Sequence, residues 1–250
     1  MVGLGPGHPS LVTVQARQAL EAAQVVIGYR TYLGQARELL AGKEVIAGAM
    51  TQELQRAGQA LDLALGGKRV ALVSGGDPGV YAMAAVVFDL AAQRGLDLAG
   101  GPGGLAVEVV PGVSAVNAAA ALLGAPLSHD FACVSLSDRL TPWELIEQRL
   151  DLAAKADFVI ALYNPRSKGR HWQYGRALEI VGRHRAPHTP VGVVARANRP
   201  GQSVNVMPLS AASAAEVDMQ TLVIIGNSRS FQFGRRMVTP RGYLDKYGTP

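Results

Sequence analysis

Three short turns rich in glycine and proline carry the residue types best suited to holding a ligand. They are GLGPG at residues 3–7, GGDP at residues 75–78 and PGVSA at residues 111–115, and each follows a short apolar run. Glycine lets a ligand approach the bare main chain, and in open α/β sheets ligands bind beyond the carboxyl ends of the strands. The first turn is not the G-x-G-x-x-G dinucleotide fingerprint, because Pro6 removes an amide donor. Taken singly, each turn also fits an ordinary connection between a strand and a helix.

Apolar segments that alternate with amphipathic ones position these turns. Their patterns predict strands at residues 2–4, 25–28, 44–46, 69–73, 107–110, 131–136, 158–163, 191–195 and 221–225, and helices at 13–23, 32–41, 51–65, 80–92, 114–123, 141–156 and 172–183. Residues 203–206 could pair with the strand at 191–195 as a hairpin. Strands that alternate with helices indicate parallel sheets. We therefore predict an α/β protein with two α/β domains, residues 1–112 and 113–250, and a cleft between them.

The composition excludes several classes of protein and site. Of the 250 residues 48% are apolar and 17% charged, which excludes intrinsic disorder. The single cysteine, Cys133, excludes an internal disulfide and is expected in the core. Pro187 separates His184 from His188 and no zincin glutamate accompanies them, so we expect no metal site. With no apolar run long enough to span a bilayer and no secretory signal at the start, we expect a cytoplasmic protein that does not act at a membrane.

Positive charge is concentrated in one part of the chain. Between residues 158 and 215 there are eight arginine or lysine residues and a single acidic residue, Glu179. Such an excess favours an anionic partner, which could be a nucleic acid, a phosphate or a polycarboxylate, although a solvated surface is the simpler interpretation. The stretch lacks the regular alternation of basic and aromatic residues found in nucleic-acid platforms, so we expect no nucleic-acid partner.

In this order and spacing, the three turns together resemble the signatures of the tetrapyrrole methylase family, and the likeness extends from residue 2 to about residue 228. Four further segments resemble the branch of that family that methylates corrin precursors at C-17 in cobalamin synthesis: GYRTYL at 28–33, GAPLSHDFACVSLSD at 124–138, YNPRS at 163–167 and IGNS at 225–228. The resemblance implies methylation of precorrin-3B, or of its cobalt-containing counterpart, with contraction of the macrocycle. It also implies S-adenosylmethionine as cofactor, a tetrapyrrole substrate and a homodimer.

Family members bind the cofactor in a cleft between two α/β domains. Carried over by motif, the resemblance implies these cofactor-lining residues: Pro6, Gly75, Gly76, Asp77, Val80, Ser114, Ala115, Asn164 and Ala197. Methyl transfer requires the nucleophilic carbon, the methyl group and the sulfur to lie in line, so such a site works mainly by positioning. Asp77 can accept hydrogen bonds from the cofactor's ammonium or ribose; its alternative role is to cap the turn before Pro78.

Ring contraction also requires proton movement, for which we consider three catalytic candidates. Tyr29 stands where a related branch has an acidic base, and its phenol suits a hydrogen-bond donor or acid better than a base. The other two are Asp138 and His129. Each has a structural alternative: packing over the cleft mouth for Tyr29, the end of a strand for Asp138 and a main-chain hydrogen bond for His129.

Binding of the substrate should depend on cations, because a corrin precursor carries many acetate and propionate groups and arginine forks suit carboxylates. The candidate clamps follow predicted strand ends: Arg30, Arg139, Arg166, Lys168 and Arg170. Each is equally compatible with a surface charge.

Other functions remain open at this point. Within the family they are another tetrapyrrole C-methyltransferase or a ribosomal RNA methyltransferase. From a different class, the chain could be a non-catalytic module that binds a nucleotide or a tetrapyrrole.

Overall fold

The computed structural model describes residues 1–98, 100 and 104–249 of the chain. They form two compact units, Met1–Ala115 and Val116–Pro250, and the division predicted at residue 112 falls in the turn that ends the first unit. Each unit combines helices with a β-sheet, which confirms the predicted α/β class. Within the part of the chain that the structure describes, no helix has both the length and the apolar character needed to cross a bilayer.

The sheet of the first unit is parallel throughout. Its strands are β1 (Val2–Gly3), β2 (Val25–Tyr29), β3 (Glu44–Gly48) and β4 (Val70–Ser74). They lie in the order β1-β4-β2-β3, so their carboxyl ends meet at one edge. Side chains alternate between the two faces of a strand. Accordingly Val25 and Ile27 of β2 pack into one core cluster and Val26 packs into the other.

Helices cover both faces of this sheet. They are α1 (Val14–Ala22), α2 (Arg30–Gln35), α3 (Glu53–Leu65) and α4 (Met83–Gln93), with short 3-10 helices at Pro9–Leu11 and Arg37–Leu40. Leu20 of α1 belongs to the cluster that contains Val26, whereas Leu61 of α3 and Val87 of α4 belong to the cluster that contains Ile27. The unit is therefore a three-layer α/β/α arrangement, whose buried strands account for the continuous apolar runs in the sequence.

The second unit contains a five-stranded sheet and a smaller three-stranded one. Their strands are β5 (Gly124–Ala125), β6 (Phe131–Ser135), β7 (Val159–Tyr163), β8 (Pro190–Ala195), β9 (Ser203–Pro208), β10 (Thr221–Ile225), β11 (Phe231–Phe233) and β12 (Arg236–Val238). The larger sheet has the order β6-β7-β10-β8-β9 and the smaller one β11-β12-β5. Because β10 is antiparallel to both β7 and β8, the carboxyl ends of β6, β7 and β8 lie at the same edge.

The prediction of parallel sheets is therefore wrong for the second unit, where only β6 and β7 of the larger sheet pair in parallel. The hairpin expected from residues 203–206 is present as β8 and β9, which pair from Pro190 with Pro208 to Ala195 with Ser203. Strand β10 is buried along its whole length. A fully buried strand has a continuous apolar pattern whatever its direction, so the sequence contains no signal for its antiparallel pairing.

Helices α5 (Ala115–Leu123), α6 (Trp143–Lys155), α7 (Gln173–Gly182) and α8 (Tyr243–Tyr247) complete the chain, with a 3-10 helix at Leu209–Ala214. Leu150 of α6 and Tyr174 of α7 pack against Ile160 of the sheet. The Tyr174 hydroxyl donates to the carbonyl oxygen of Ala212 at 3.0 Å, and burial raises the pKa of Tyr174 to about 12. This tyrosine is thus a neutral core residue.

Three predicted elements are shorter than expected. The helix predicted at residues 32–41 ends at Gln35 as α2, and a separate 3-10 helix follows at Arg37–Leu40. The helix predicted at residues 80–92 begins only at Met83, because the preceding residues form a turn in which Tyr81 has a left-handed φ of 51°. The strand predicted at residues 107–110 is reduced to a single bridge between Val110 and Val2. The connection that follows β4 is therefore longer than the sequence pattern suggested.

Candidate functional site

The three glycine turns meet at the carboxyl edge of the sheet in the first unit. Gly5 and Gly76 exchange two main-chain hydrogen bonds with N–O distances of 3.1 and 2.7 Å. A Cβ on Gly3 would lie 2.6 Å from the amide nitrogen of Gly112, and a Cβ on Gly112 would overlap the carbonyl oxygen of Gly76. Glycine is thus required at residues 3 and 112 so that main chain can pack directly against main chain.

Asp77 joins the second turn to the third. Its Oδ1 accepts a hydrogen bond from the N–H of Gly79 at 2.8 Å, and its Oδ2 accepts one from the N–H of Gly112 at 3.1 Å. The first of these bonds is the local cap considered as the alternative role of Asp77. Since each carboxylate oxygen has a further lone pair, the side chain can still accept hydrogen bonds from a ligand while the main chain fixes its orientation.

Two tyrosines flank the second turn. Tyr29 ends β2, and its ring contacts that of Tyr32 edge to face, with centroids 5.4 Å apart and planes at 81°. A Cβ on Gly75 would lie 2.6 Å from Cε1 of Tyr32, so this ring lies directly against the main chain of the turn. The structure therefore brings Tyr29 to the edge where the glycine turns meet, with its ring packed on that of Tyr32.

The remaining cofactor candidates of the first unit lie in or next to the same three turns. Pro6 is half-buried within the first turn. A Cβ on Gly76 would lie 3.7 Å from Cα of Ser114 and 3.7 Å from the amide nitrogen of Ala115, so the third turn borders the second. Val80 lies in the turn that precedes α4 rather than on the helix where it was expected.

Ser74 is a further polar residue at this edge that was not predicted from the sequence. It is the last residue of β4, and its buried Oγ makes no hydrogen bond with any described residue. A buried hydroxyl without a partner costs roughly 1–3 kcal/mol, which makes Ser74 a candidate for a hydrogen bond with a ligand. The available signal was a small polar residue at the end of an apolar strand, directly before two glycines.

In the second unit, polar residues gather where β6 and β7 end. Asn164 follows β7 directly and has a left-handed φ of 54°. Its Nδ2 donates to Oγ of Ser135 at 3.0 Å, and its main-chain oxygen accepts a hydrogen bond from Nη2 of Arg170 at 2.6 Å. Ser135 was not predicted as a site residue, whereas Arg170 was expected to contact substrate.

The two catalytic candidates of this unit do not lie together. Asp138 follows the carboxyl end of β6, where its Oδ2 accepts a hydrogen bond from Nε2 of Gln173 at 2.9 Å. His129 precedes β6, and its Nδ1 accepts a main-chain hydrogen bond from the next residue at 2.8 Å. They lie beyond opposite ends of β6, a five-residue strand that spans roughly 16 Å. Ala197 lies in the loop after β8, at the same edge as Asp138.

The predicted carboxylate clamps differ in burial. Arg30, Arg139 and Lys168 are exposed and form no ion pair with any described residue, and Arg166 is half-buried. Arg170 is only 5% exposed, with Nη2 on a main-chain oxygen. Burial lowers the pKa of the Arg170 guanidinium, an effect opposed by the charge of a nearby carboxylate. Arg170 is thus an interior group whose principal contact is within its own chain.

Much of the positive charge between residues 158 and 215 is neutralised internally. Arg176 pairs with Glu147 at 2.7 Å and with Glu179 at 3.2 Å. Arg185 is buried, donates to four main-chain carbonyl groups and lies 3.2 Å from Asp157. The charge available to an anionic partner is therefore smaller than the composition suggests.

Comparison with known proteins identifies the family. The family model for tetrapyrrole (corrin/porphyrin) methylases matches residues 1–213. The chain belongs to the tetrapyrrole methylase family. The resemblance to this family inferred from the sequence is thereby confirmed.

Curated relatives of this methylase carry closely related names. "Cobalt-factor III methyltransferase" of Priestia megaterium is 44% identical over 99% of this chain but 45% of its own length. "Probable cobalt-factor III C(17)-methyltransferase" of Salmonella typhimurium is 43% identical over 97% of this chain and 98% of its own length. "Precorrin-3B C(17)-methyltransferase" of a Sinorhizobium species is 43% identical over 100% and 94%. The methylase thus spans less than half of the first relative and nearly all of the other two.

Solved structures agree with this assignment. The crystal structure of the methyltransferase CobJ matches with a TM-score of 0.88 and 39% identity, covering 96% of this chain and 98% of that one. Uroporphyrin-III C-methyl transferase from Thermus thermophilus, complexed with S-adenyl homocysteine, matches with a TM-score of 0.67 and 26% identity over 90% of this chain and 95% of its own. The methylase therefore has the fold of solved members of its family.

Proposed function

We propose that this methylase transfers a methyl group from S-adenosylmethionine to C-17 of a corrin precursor, with contraction of the macrocycle. The observation that carries the proposal is 43% identity, over nearly the whole chain, to two relatives named for C(17) methylation. The TM-score of 0.88 to CobJ supports the same assignment. Another tetrapyrrole C-methyltransferase is less well supported, because the uroporphyrin-III enzyme is only 26% identical with a TM-score of 0.67.

The residues of the first unit fit this cofactor. S-adenosylmethionine supplies a methyl group on a positively charged sulfur, and its ammonium, hydroxyl and amine groups are hydrogen-bond donors. Asp77 presents carboxylate lone pairs in a fixed orientation, and Ser74 presents a buried hydroxyl that no described residue satisfies. We assign these two to the cofactor, together with Pro6, Gly75, Gly76, Val80, Ser114 and Ala115.

In the second unit we assign Asn164 and Ala197 to the cofactor as well. Both follow strands whose carboxyl ends share one edge of the larger sheet. At that edge we assign Arg139, Arg166 and Lys168 to the acetate and propionate groups of the substrate, since Arg139 and Lys168 are exposed and form no ion pair with the described residues.

For proton movement we propose Tyr29 and Asp138. Tyr29 lies at the edge where the glycine turns meet, and Asp138 is oriented by the amide of Gln173. His129 is not included, because it lies at the amino end of β6, away from the polar residues that follow the strands.

Relatives named for cobalt-factor III are 43–44% identical and one named for precorrin-3B is 43% identical, so the substrate is tested both with and without cobalt. The test is incubation with labelled S-adenosylmethionine and the trimethylated macrocycle, metal-free or loaded with cobalt, followed by mass and NMR analysis. We expect one new methyl group at C-17 and a contracted ring in one of the two arms. Methylation at another carbon, or transfer only to ribosomal RNA, would contradict the proposal.

Calorimetry separates an enzyme of this class from a binding module. We expect micromolar binding of S-adenosylhomocysteine. Binding of NAD or of nucleotides without binding of S-adenosylhomocysteine would contradict a methyltransferase.

We also propose that the protein is a homodimer, as the family resemblance implies, and that it is cytoplasmic, as expected from the sequence. Phe231 and Phe233 expose aromatic surface on β11, of the kind that a subunit interface buries. Light scattering at micromolar concentration should give twice the mass of one chain, and the mass of a single chain would contradict the dimer.

A further inference from the structure

Asn164 has a main-chain conformation that requires support. Its φ of 54° lies in the left-handed region, which L-residues rarely adopt, although asparagine tolerates it better than most. The residue after it is Pro165, and a following proline restricts the main chain further. Contacts from neighbouring residues must therefore hold Asn164 in place.

Two side chains make those contacts. Arg170 donates from Nη2 to the carbonyl oxygen of Asn164 at 2.6 Å, and Ser135 Oγ accepts a hydrogen bond from Asn164 Nδ2 at 3.0 Å. Ser135 Oγ is itself fixed, since it also accepts the N–H of Ser137 at 3.2 Å. The amide oxygen Oδ1 of Asn164 accepts no hydrogen bond from any residue that the structure describes, so it remains available to a ligand.

Arg170 has few other partners. It is 5% exposed, and its Nε is buried without a hydrogen bond to the described residues. Among those residues its one further side-chain hydrogen bond runs from Nη2 to the sulfur of Met219 at 3.5 Å. The main chains of Ser167 and Arg170 exchange two hydrogen bonds, at 3.0 and 3.2 Å, which closes the loop that brings the guanidinium back to residue 164. The charge of Asp138 compensates part of the burial of the guanidinium, but a buried charge with so few hydrogen bonds is still a costly way to stabilise a loop.

We propose that Arg170 and Ser135 are positioning residues, which together hold Asn164 in its left-handed conformation so that its amide oxygen accepts a hydrogen bond from the cofactor. The inference rests on the proposed function, where Asn164 is assigned to the cofactor. It also removes Arg170 from the residues that contact substrate carboxylates.

A double-mutant cycle read by calorimetry with S-adenosylhomocysteine tests this proposal. The four proteins are wild type, Arg170→Met, Asn164→Gly and the double variant. Glycine adopts a φ of 54° without cost and has no side chain to position, so it removes the group through which Arg170 is proposed to act. A merely structural role of Arg170 would not depend on the side chain at residue 164.

We expect each single variant to weaken binding by about tenfold, the equivalent of about one charged hydrogen bond. The double variant should bind within about twofold of Asn164→Gly alone, because the two residues act through one contact. A roughly hundredfold loss in the double variant would show independent effects and overturn the proposal.

Further variants keep the test decisive. Arg170→Lys retains a cationic donor and should recover part of the affinity lost in Arg170→Met. If Arg170→Met does not fold, Ser135→Ala takes its place in the double-mutant cycle with Asn164→Gly. Arg149→Gln removes an exposed charge from α6 of the same unit and should bind as wild type does.

Absence of binding by the wild type contradicts the proposed function and this inference together. Normal binding with additive losses contradicts this inference alone.

Discussion

Asp77 Oδ2 accepts a hydrogen bond from the main-chain N–H of Gly112 at 3.1 Å, a contact between residues 35 apart in the sequence. It connects the turn that follows β4 to the turn that ends the first unit. The other oxygen of the same carboxylate holds the local turn through Gly79 at 2.8 Å. A residue assigned to the cofactor thus also maintains the shape of the site, so its substitution should change affinity and stability together.

Asp77→Ala should lower the free energy of unfolding by about 2 kcal/mol, because two main-chain N–H groups lose a charged acceptor. It should also weaken S-adenosylhomocysteine binding by about tenfold, since one hydrogen bond to the ligand is lost together with the alignment of the two turns. Chemical denaturation and calorimetry measure the two effects.

The matched control for Asp77 is Asp89→Ala, which removes an exposed carboxylate from α4 of the same unit. Both quantities should stay within about 0.5 kcal/mol of the wild-type values. If Asp77→Ala loses stability but binds normally, Asp77 is a structural cap and not a cofactor contact.

Gly112→Ala should be among the most damaging small substitutions in the first unit. The added Cβ would overlap the carbonyl oxygen of Gly76 and lie 2.9 Å from Cα of Gly3, and neither main-chain group can move without separating the turns. We expect a loss of about 3 kcal/mol or more in the free energy of unfolding.

Gly34→Ala provides the comparison for Gly112. Residue 34 lies on α2, and a Cβ there would meet nothing within 4 Å. Alanine should leave stability unchanged or raise it by up to about 1 kcal/mol through helix propensity. Equal melting temperatures for the two variants would show that the packing of the turns does not require glycine at residue 112.

The glycine turns and most strands could be predicted because their signals are local. Apolar runs that end in Gly-Pro sequences mark a strand and the turn after it, and such turns gather at the carboxyl edge of a parallel sheet. For the same reason Tyr29, at the end of β2, could be placed at this edge from the sequence.

The features that were missed depend on contacts distant in sequence. In the sequence Arg170 looks like a surface cation in a basic stretch, whereas in the structure it is buried and bonded to the main chain of Asn164. Strand β10 is antiparallel to its neighbour β8 and fully buried. The apolar sequence pattern of a fully buried strand does not indicate whether it pairs in parallel or antiparallel. The separation of His129 from Asp138, in contrast, could have been deduced from the length of the strand between them.

Tyr29→Phe should separate the two roles considered for Tyr29. Phenylalanine keeps the ring that packs edge to face on Tyr32 but removes the hydroxyl. If that hydroxyl assists proton movement, kcat should fall by about a hundredfold, which is typical for loss of one acid–base group. The melting temperature and the affinity for S-adenosylhomocysteine should not change.

The control for Tyr29 is Tyr243→Phe, which removes a hydroxyl from an exposed tyrosine of α8 and should leave turnover unchanged. Wild-type turnover in Tyr29→Phe would assign Tyr29 to packing alone.

Arg139→Gln and Lys168→Gln should each raise KM for the tetrapyrrole by about three- to tenfold with little change in kcat, because an ion pair with a substrate carboxylate forms equally in the ground state and the transition state. Both side chains are exposed and have no ion-pair partner among the described residues, so their removal should not destabilise the fold. For the wild type, KM should rise with added salt as these pairs are screened, and in the variants this dependence should be weaker.

Arg149→Gln, which removes an exposed cation from α6, controls for the loss of net charge and should keep the wild-type KM and salt dependence. An equal rise of KM in all three variants would show that overall charge attracts the substrate, without specific contacts at Arg139 and Lys168.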